Sequence, residues 1–271
     1  MTDSKYKRFF AFGCSWTHFV WPTWARIIAD DLAIPFENWG ITGAGNQVIQ
    51  SRLVECDLRN NLTDSDLVIV EWTSWSREDR YLDGQWKCGG NIFNTRYFDD
   101  DFVKKYWSWE NDVIRNSTII HTTDRAYKDI MTYQMSMYEY PKFDLNDPEF
   151  SFWLQKLINK VPKNETIEQF YMKKLVMPPV MNMGNNSRFN GTCMDIHPDI
   201  ISHLHVIENQ IYPKLGLTLK QSTKDKYLDM SDRITNILNK NDEYNIMVKK
   251  VHGVLTSMNI DLDEHIKHHG F

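Results

Sequence analysis

Short apolar runs, each stopped by a polar or glycine-rich stretch, set the rhythm of the amino-terminal part of the chain. Phe9-Phe10-Ala11-Phe12 is too short for a helix of its own and suits a strand covered on both faces, as in a parallel sheet. Trp24, Ile27, Ile28 and Leu32 then repeat at helical spacing, with Pro22 placed for a first turn. Phe36-Glu37-Asn38-Trp39 reads as a second strand, and Val48, Ile49, Leu53 and Cys56 as the apolar face of a second helix. Leu67-Val68-Ile69-Val70 is the clearest strand, introduced by the turn-like Thr63-Asp64-Ser65-Asp66. Strands alternating with helices predict an α/β fold, three-layer α/β/α, with a doubly wound and mainly parallel sheet.

The rhythm then changes. Residues 80–116 carry Tyr81, Trp86, Phe93, Tyr97, Phe98, Tyr106, Trp107 and Trp109 with no sustained period, which reads as an aromatic-rich insertion. Such rings either pack the insertion onto the domain or form a platform for sugar rings. Helical pattern returns over Thr123–Tyr140 and Pro148–Lys160, and a fourth strand is expected over Lys174–Val180. Pro198 is expected to begin a helix continued by Leu204, Ile207 and Ile211. From Leu217 onward the chain is polar and helical, so the expected division is a main domain over 1–216 and a helical appendage over 217–271. That appendage is a candidate contact surface for a second copy or a larger particle.

The loops at the carboxyl ends of the strands hold the candidate chemistry, because ligands bind there in open α/β sheets. After the first strand comes Gly13-Cys14-Ser15-Trp16-Thr17, where Gly13 allows a turn that a side chain would hinder. Ser15 is there either as a nucleophile or as a cap for the next helix. After the second strand, Gly40-Ile41-Thr42-Gly43-Ala44-Gly45-Asn46 lets backbone amides approach a ligand, without the spacing of a dinucleotide fingerprint or a P-loop. Glu71–Glu78 forms a polar and aromatic loop after the third strand. Asp195 and His197 stand just ahead of Pro198, a good place for a mobile base. Acyl transfer needs a hydroxyl, an imidazole to take its proton, a group to orient that imidazole, and donors aimed at the oxyanion, and this chain supplies them in the order Ser15, loop amides near Gly43, and Asp195 with His197.

Composition narrows the classes. With 271 residues and 42% hydrophobic side chains the chain can bury a substantial core without staples. A net charge of -5 argues against nucleic acid as a partner. Cys14, Cys56, Cys88 and Cys193 form no Cys-x-x-Cys pair, so reduced thiols are expected. The amino terminus runs into too few apolar residues for a signal peptide or a membrane span, so synthesis in a cytoplasm is expected, with incorporation into a virion left open. His265, His268 and His269 read as a solvated tail.

Taken in order, these blocks resemble the SGNH, or GDSL-type, hydrolases. The first block, Gly-Asp-Ser in that family, reads Gly13-Cys14-Ser15; the second, Asn-x-Gly-x-x-Gly, reads Asn38-Trp39-Gly40-Ile41-Thr42-Gly43; the last, an acid and His-Pro before a helix, reads Asp195-Ile196-His197-Pro198. The resemblance covers residues 6–216 and implies a flavodoxin-like fold. It makes Ser15 the nucleophile, His197 the general base, Asp195 its orienting acid, and the amides of Ser15 and Gly43 the oxyanion hole. Two departures stand out. The third block, Gly-x-Asn-Asp in the family, falls on Thr73-Ser74-Trp75-Ser76, so the donating asparagine is absent, and Asn46 is the expected substitute, with Thr73 or Ser76 behind it. Asp195 also stands two rather than three residues before His197, so a backbone carbonyl is the alternative orienting group. Trp16, Thr73, Ser76, Arg77 and Trp86 are the candidate pocket residues. The Gly-Cys-Ser-x-Thr form resembles a divergent branch associated with bacteriophage and marine bacterial proteins.

The implied activity is a serine esterase or deacetylase acting on short acyl esters of a carbohydrate, with no cofactor and no metal. Three alternatives stay open: Cys14 as nucleophile; a metal cluster of Cys193, Asp195, His197 and His203; and an SGNH-type fold kept for binding or assembly.

Overall fold

A computed structural model describes residues 5–93, 98–137, 148–160, 197–238 and 244–262. The chain divides into two compact units, one holding residues 1–17, 34–168 and 266–271, the other 18–33 and 169–265.

The first unit is built on four parallel strands: β1 (Arg8–Phe12), β2 (Phe36–Asn38), β3 (Asp66–Trp72) and a strand at Tyr133–Ser136. β1 lies between β2 and β3, and Tyr133–Ser136 borders β3 on its other side. Phe9 to Phe12 and Leu67 to Val70 are wholly buried, which is why both runs are apolar without alternation. Arg8 closes the amino end of this pair with a two-pronged contact, Nε to Asp66 Oδ1 at 2.8 Å and Nη2 to Asp66 Oδ2 at 2.7 Å. Helix α2 (Asn46–Asn60) packs on β1 and β3 through Val48, Ile49 and Leu53.

Expectation and structure part in the middle of the chain. The stretch beyond Arg80 is not irregular: β4 (Arg77–Leu82) and β5 (Gln85–Asn91) pair antiparallel around Asp83-Gly84. Positive φ at both residues, 54° and 74°, gives the two-residue turn that an Asp-Gly pair favours. Helices α3 (Asp100–Tyr106) and α4 (Trp109–Ala126) follow. The helical pattern expected through Tyr140 ends at Ala126, and β6 (Tyr133–Ser136) takes its place as the fourth strand. The strand expected over 174–180 lies outside the described residues. Helix α5 (Pro148–Ile158) packs on α4, where Leu154 and Ile158 meet Val113.

In the second unit, α1 (Trp24–Leu32) buries Trp24, Ile27 and Ile28 against α6 (Ile200–Val206) and the long helix α8 (Gln221–Leu238). Thr23, not Pro22, is the residue before the first turn, and Asp199, not Pro198, caps α6, accepting from Ser202 N at 2.7 Å. α6 runs through a π turn, Ile207–Ile211, into α7 (Tyr212–Leu215). Pro213 lacks the amide that a regular helix would need there, and the widened turn absorbs the mismatch. The end of α1 is tied down by charge: Asp31 accepts from Tyr212 Oη at 2.8 Å, and Asp30 accepts from Lys226 Nζ at 2.6 Å and Tyr227 Oη at 2.8 Å. Helix α9 (Tyr244–Ser257) packs on α8. No described helix is long and apolar enough to cross a membrane.

Because a Cβ added to Gly84 meets no atom within 4 Å, Gly84→Ala tests the turn's backbone alone. The left-handed conformation should cost about 1–2 kcal/mol, read by urea denaturation. An unchanged midpoint would mean that the hairpin does not unfold with the sheet.

Candidate active site

The order β2-β1-β3-β6 reverses direction at β1, so the crevice beyond the carboxyl ends of β1 and β3 is the place for a ligand. Gly13–Thr17 and Thr73–Ser76 border it.

The turn after β1 is tight, with Thr17 N donating to Cys14 O at 3.0 Å. Glu71, which sequence pattern assigned to a loop, is the penultimate residue of β3 and is wholly buried. Its Oε2 accepts from Thr17 Oγ1 at 2.5 Å, and its Oε1 lies 3.8 Å from Cys14 Sγ. Gly13 must be glycine here, since a Cβ would run into Thr17 Oγ1 and come within 3.0 Å of Glu71 Cβ. Asn38 joins the second loop to the first: its Nδ2 donates to Thr17 O at 3.2 Å while its Oδ1 accepts from Gly40 N at 3.0 Å. Ile41 N donates to Gly13 O at 3.1 Å. Ser15 is held at this turn, 3% exposed, and no described residue engages its hydroxyl or its amide. Cys14 is wholly buried, and burial pushes its thiol up, with Glu71 adding to that rise and Arg77 opposing it. A thiol so protonated is a poor nucleophile.

The glycine loop leans on the hairpin. Gly43 has φ +80°, its carbonyl accepts from Gly90 N at 3.1 Å, and its amide donates to no described residue. Gly45, ahead of α2, offers no side chain to cap the helix, and Asp79 of β4 does so instead, accepting from Gly45 N at 2.8 Å and Val48 N at 3.2 Å. Burial pushes the Asp79 carboxyl up to about 6 despite those two amides and Arg77.

The loop after β3 is a fixed wall. Asn46 Oδ1 accepts from Thr73 N at 2.8 Å, while its Nδ2 donates to Thr73 O at 3.2 Å and to Asn116 Oδ1 at 3.0 Å. Both amide hydrogens of the expected substitute donor are therefore spent on holding the wall. Asn116 Nδ2 donates to Trp75 O at 2.9 Å. Thr73 Oγ1 donates to Met137 Sδ at 3.4 Å, and Ser76 Oγ lies 2.9 Å from Ser74 Oγ and accepts from Asn91 Nδ2 at 2.7 Å. Arg77 reaches back, Nη1 to Ala44 O at 3.0 Å and Nη2 to Met137 Sδ at 3.8 Å. Trp16 is buried, and Trp86 stands on β5 edge-on to its cross-strand partner Tyr81 at 5.4 Å.

His197 belongs to the second unit, as Ser15 and Gly43 belong to the first. It stacks on Phe19 at 3.8 Å between ring centroids, and Trp21 Nε1 donates to Pro198 O at 2.7 Å, which fixes the segment. His203 on α6 is wholly buried, its ring nitrogens have no hydrogen-bond partner among the described residues, and burial, aided by His197, pushes it down to about 3. Asp195 and Cys193 lie outside the described residues.

Pattern reading passed over Glu71, Asp79 and Asn116. An acid directly after an unbroken apolar strand was the available signal for Glu71; nothing local marked the other two.

No family model matches the chain, and no curated relative matches it. Among solved structures it is similar to a catalytic mutant of Axe2, an acetylxylan esterase from Geobacillus stearothermophilus, at 10% identity, covering 80% of this chain and 97% of that one, with TM-score 0.43. A second mutant of the same enzyme, described as an acetyl-xylooligosaccharide esterase, gives 10% identity over the same shares and TM-score 0.41. At that level the likeness assigns no residue a role.

The raised Asp79 gives a pH signature. Below about pH 4 the carboxyl is protonated in folded and unfolded chains alike. Between its ordinary value of 3.8 and about 6 only the unfolded chain has released the proton, so stability falls as pH rises through that window and levels off above it. Asp79→Asn should remove up to about 3 kcal/mol of this fall, at roughly 1.4 kcal/mol per pH unit. Parallel stability curves for the two proteins between pH 4 and 7 would refute the assignment.

Proposed function

We propose that the chain is a serine ester hydrolase of the SGNH type, with Ser15 as nucleophile, His197 as general base and Asp195 as the acid that orients it. The observation carrying this reading is the setting of Ser15: a hydroxyl at the carboxyl end of the central strand, in a turn locked by Glu71 and Thr17, with its own polar atoms engaged by no described residue. The amides of Ser15 and Gly43 are the backbone donors of the oxyanion hole.

In the first half-reaction Ser15 Oγ bonds to the ester carbonyl carbon, its proton passes to His197, and the carbonyl π pair moves onto oxygen. That pair returns as the bond to the alcohol oxygen breaks, and the imidazolium gives its proton to the departing alkoxide. Water then attacks the acyl-Ser15 ester, again giving a proton to His197. The carboxylic acid leaves and Ser15 recovers its hydrogen. Neither a cofactor nor a metal enters this balance.

The substrate proposed is a short acyl ester of a carbohydrate. The support for it is the set of exposed rings along residues 80–116, Tyr81, Phe93 and Tyr106. A binding or assembly role with the surface of 217–271 as the contact is the reading from another class, and the absent third-block asparagine favours it.

A fluorophosphonate probe and p-nitrophenyl acetate separate the two. Ser15→Ala and His197→Ala should each abolish labelling and hydrolysis without unfolding the protein, while Cys14→Ala keeps both. Asp195→Ala should lower turnover by more than a few-fold. A well-folded wild-type protein that takes up no probe would turn the choice to binding or assembly.

A further inference from the structure

We propose that Arg77 supplies the oxyanion donor whose usual asparagine this chain lacks. The inference rests on the esterase reading above and adds to it a residue that touches the reacting atoms.

The position that should hold the asparagine is Trp75, and its ring packs on the apolar cluster of Val113, Leu154 and Ile158. It cannot donate into the crevice from there. The other side chains around the wall are committed. Asn46 has spent both amide hydrogens on Thr73 O and Asn116 Oδ1, Thr73 Oγ1 is on Met137 Sδ, and Ser76 Oγ is within the Ser74 and Asn91 cluster.

Arg77 is different. It is half-buried at the start of β4, and no carboxylate of the described residues lies within ion-pair distance of its guanidinium. A guanidinium carries five N–H donors. Here Nη1 gives one hydrogen to Ala44 O and Nη2 one, weakly, to a thioether, which leaves Nε and one hydrogen on each terminal nitrogen. The Ala44 contact places the group beside Gly43, whose amide is one of the two backbone donors proposed. Its field also reaches the Cys14 thiol, next to Ser15. The cation is thus bonded beside one of the two proposed amides and acts electrostatically on the turn that carries the other. Asp79 offsets part of its field but makes its own bonds to Gly45 N and Val48 N. A charged donor in this place is stronger than the neutral amide it replaces.

The test uses the whole protein, two esters and the probe. In Arg77→Met, kcat should fall about a hundred- to thousand-fold, equally for neutral p-nitrophenyl acetate and anionic p-nitrophenyl hemisuccinate, with KM within a few-fold. Phosphonylation of Ser15 should slow to match, and added guanidinium should restore part of kcat. Arg77→Gln, which keeps a planar donor without the charge, should lose at least about tenfold in kcat, and it stands in if the Met variant does not fold. Unchanged kcat in either folded variant overturns the proposal. So does a loss confined to KM for the hemisuccinate, which would make Arg77 an anchor for substrate charge. A wild-type Ser15 that takes up no probe removes the esterase reading and this proposal together, whereas a labelled wild type with an equally labelled Arg77→Met removes this proposal alone.

Discussion

A carboxylate buried at the end of a central parallel strand has to be met by donors, and in this protein that requirement shapes the ground on which the candidate nucleophile stands. Glu71 is wholly buried, and leaving such a group unpaired would cost several kcal/mol. Thr17 answers it with a 2.5 Å hydrogen bond, which pulls the chain after β1 into a turn rather than letting it run on. Gly13 and Gly40 are the residues that Thr17 crowds, so both loops depend on the same threonine. Asn38 then accepts and donates across the seam, one end on Thr17 O and the other on Gly40 N. Ser15 gains a fixed backbone from neighbours that never touch its hydroxyl.

The same economy runs through the rest of the first unit. Buried polar side chains work on backbone rather than on ligand: Asn46 on both polar atoms of Thr73, Asn116 on Trp75 O, Asp79 on the amides at the start of α2. Each satisfies groups that would otherwise be orphaned in a dry interior. The Asp79 carboxyl shows what this costs, since two amides and a nearby guanidinium still do not outweigh its desolvation. A wall made this way ties the strand ends and the start of α2 to one another through side chains.

How much of this the sequence makes legible depends on range. Phe9–Phe12 and Leu67–Val70 are visible because burial on both faces leaves no polar position to confuse the reading. β6 is hidden for the opposite reason: Tyr-Gln-Met-Ser borders the sheet, carries one polar residue that faces Trp72 Nε1 and Asp124, and follows a helix whose apolar spacing continues past its end. The Asp83-Gly84 turn was legible by its own chemistry, yet the surrounding aromatics and charges concealed the alternation that would have framed it. Ser15, Gly43 and Arg77 stand out locally. That Asn46 would be consumed by Thr73 and Asn116 is a matter of contacts 27 and 70 residues away, and no local pattern carries it.

The proposed base, His197, needs a different kind of positioning from the proposed nucleophile. Stacking on Phe19 occupies the face of His197 and fixes its plane, but both ring nitrogens lie in that plane and stacking does not choose between them. The tautomer is set by an in-plane acceptor, the role proposed for Asp195 with a backbone carbonyl as the alternative. His203 bears on the same balance by what it does not do. Held at about 3, it is neutral at neutral pH, so it places no positive charge near the imidazolium that the proposed mechanism forms on His197. A solvated His203, with its ordinary value of 6.5, would carry charge in mild acid and oppose such a cation. Burying it without a described partner is unfavourable for folding and keeps repulsion away from the proposed base.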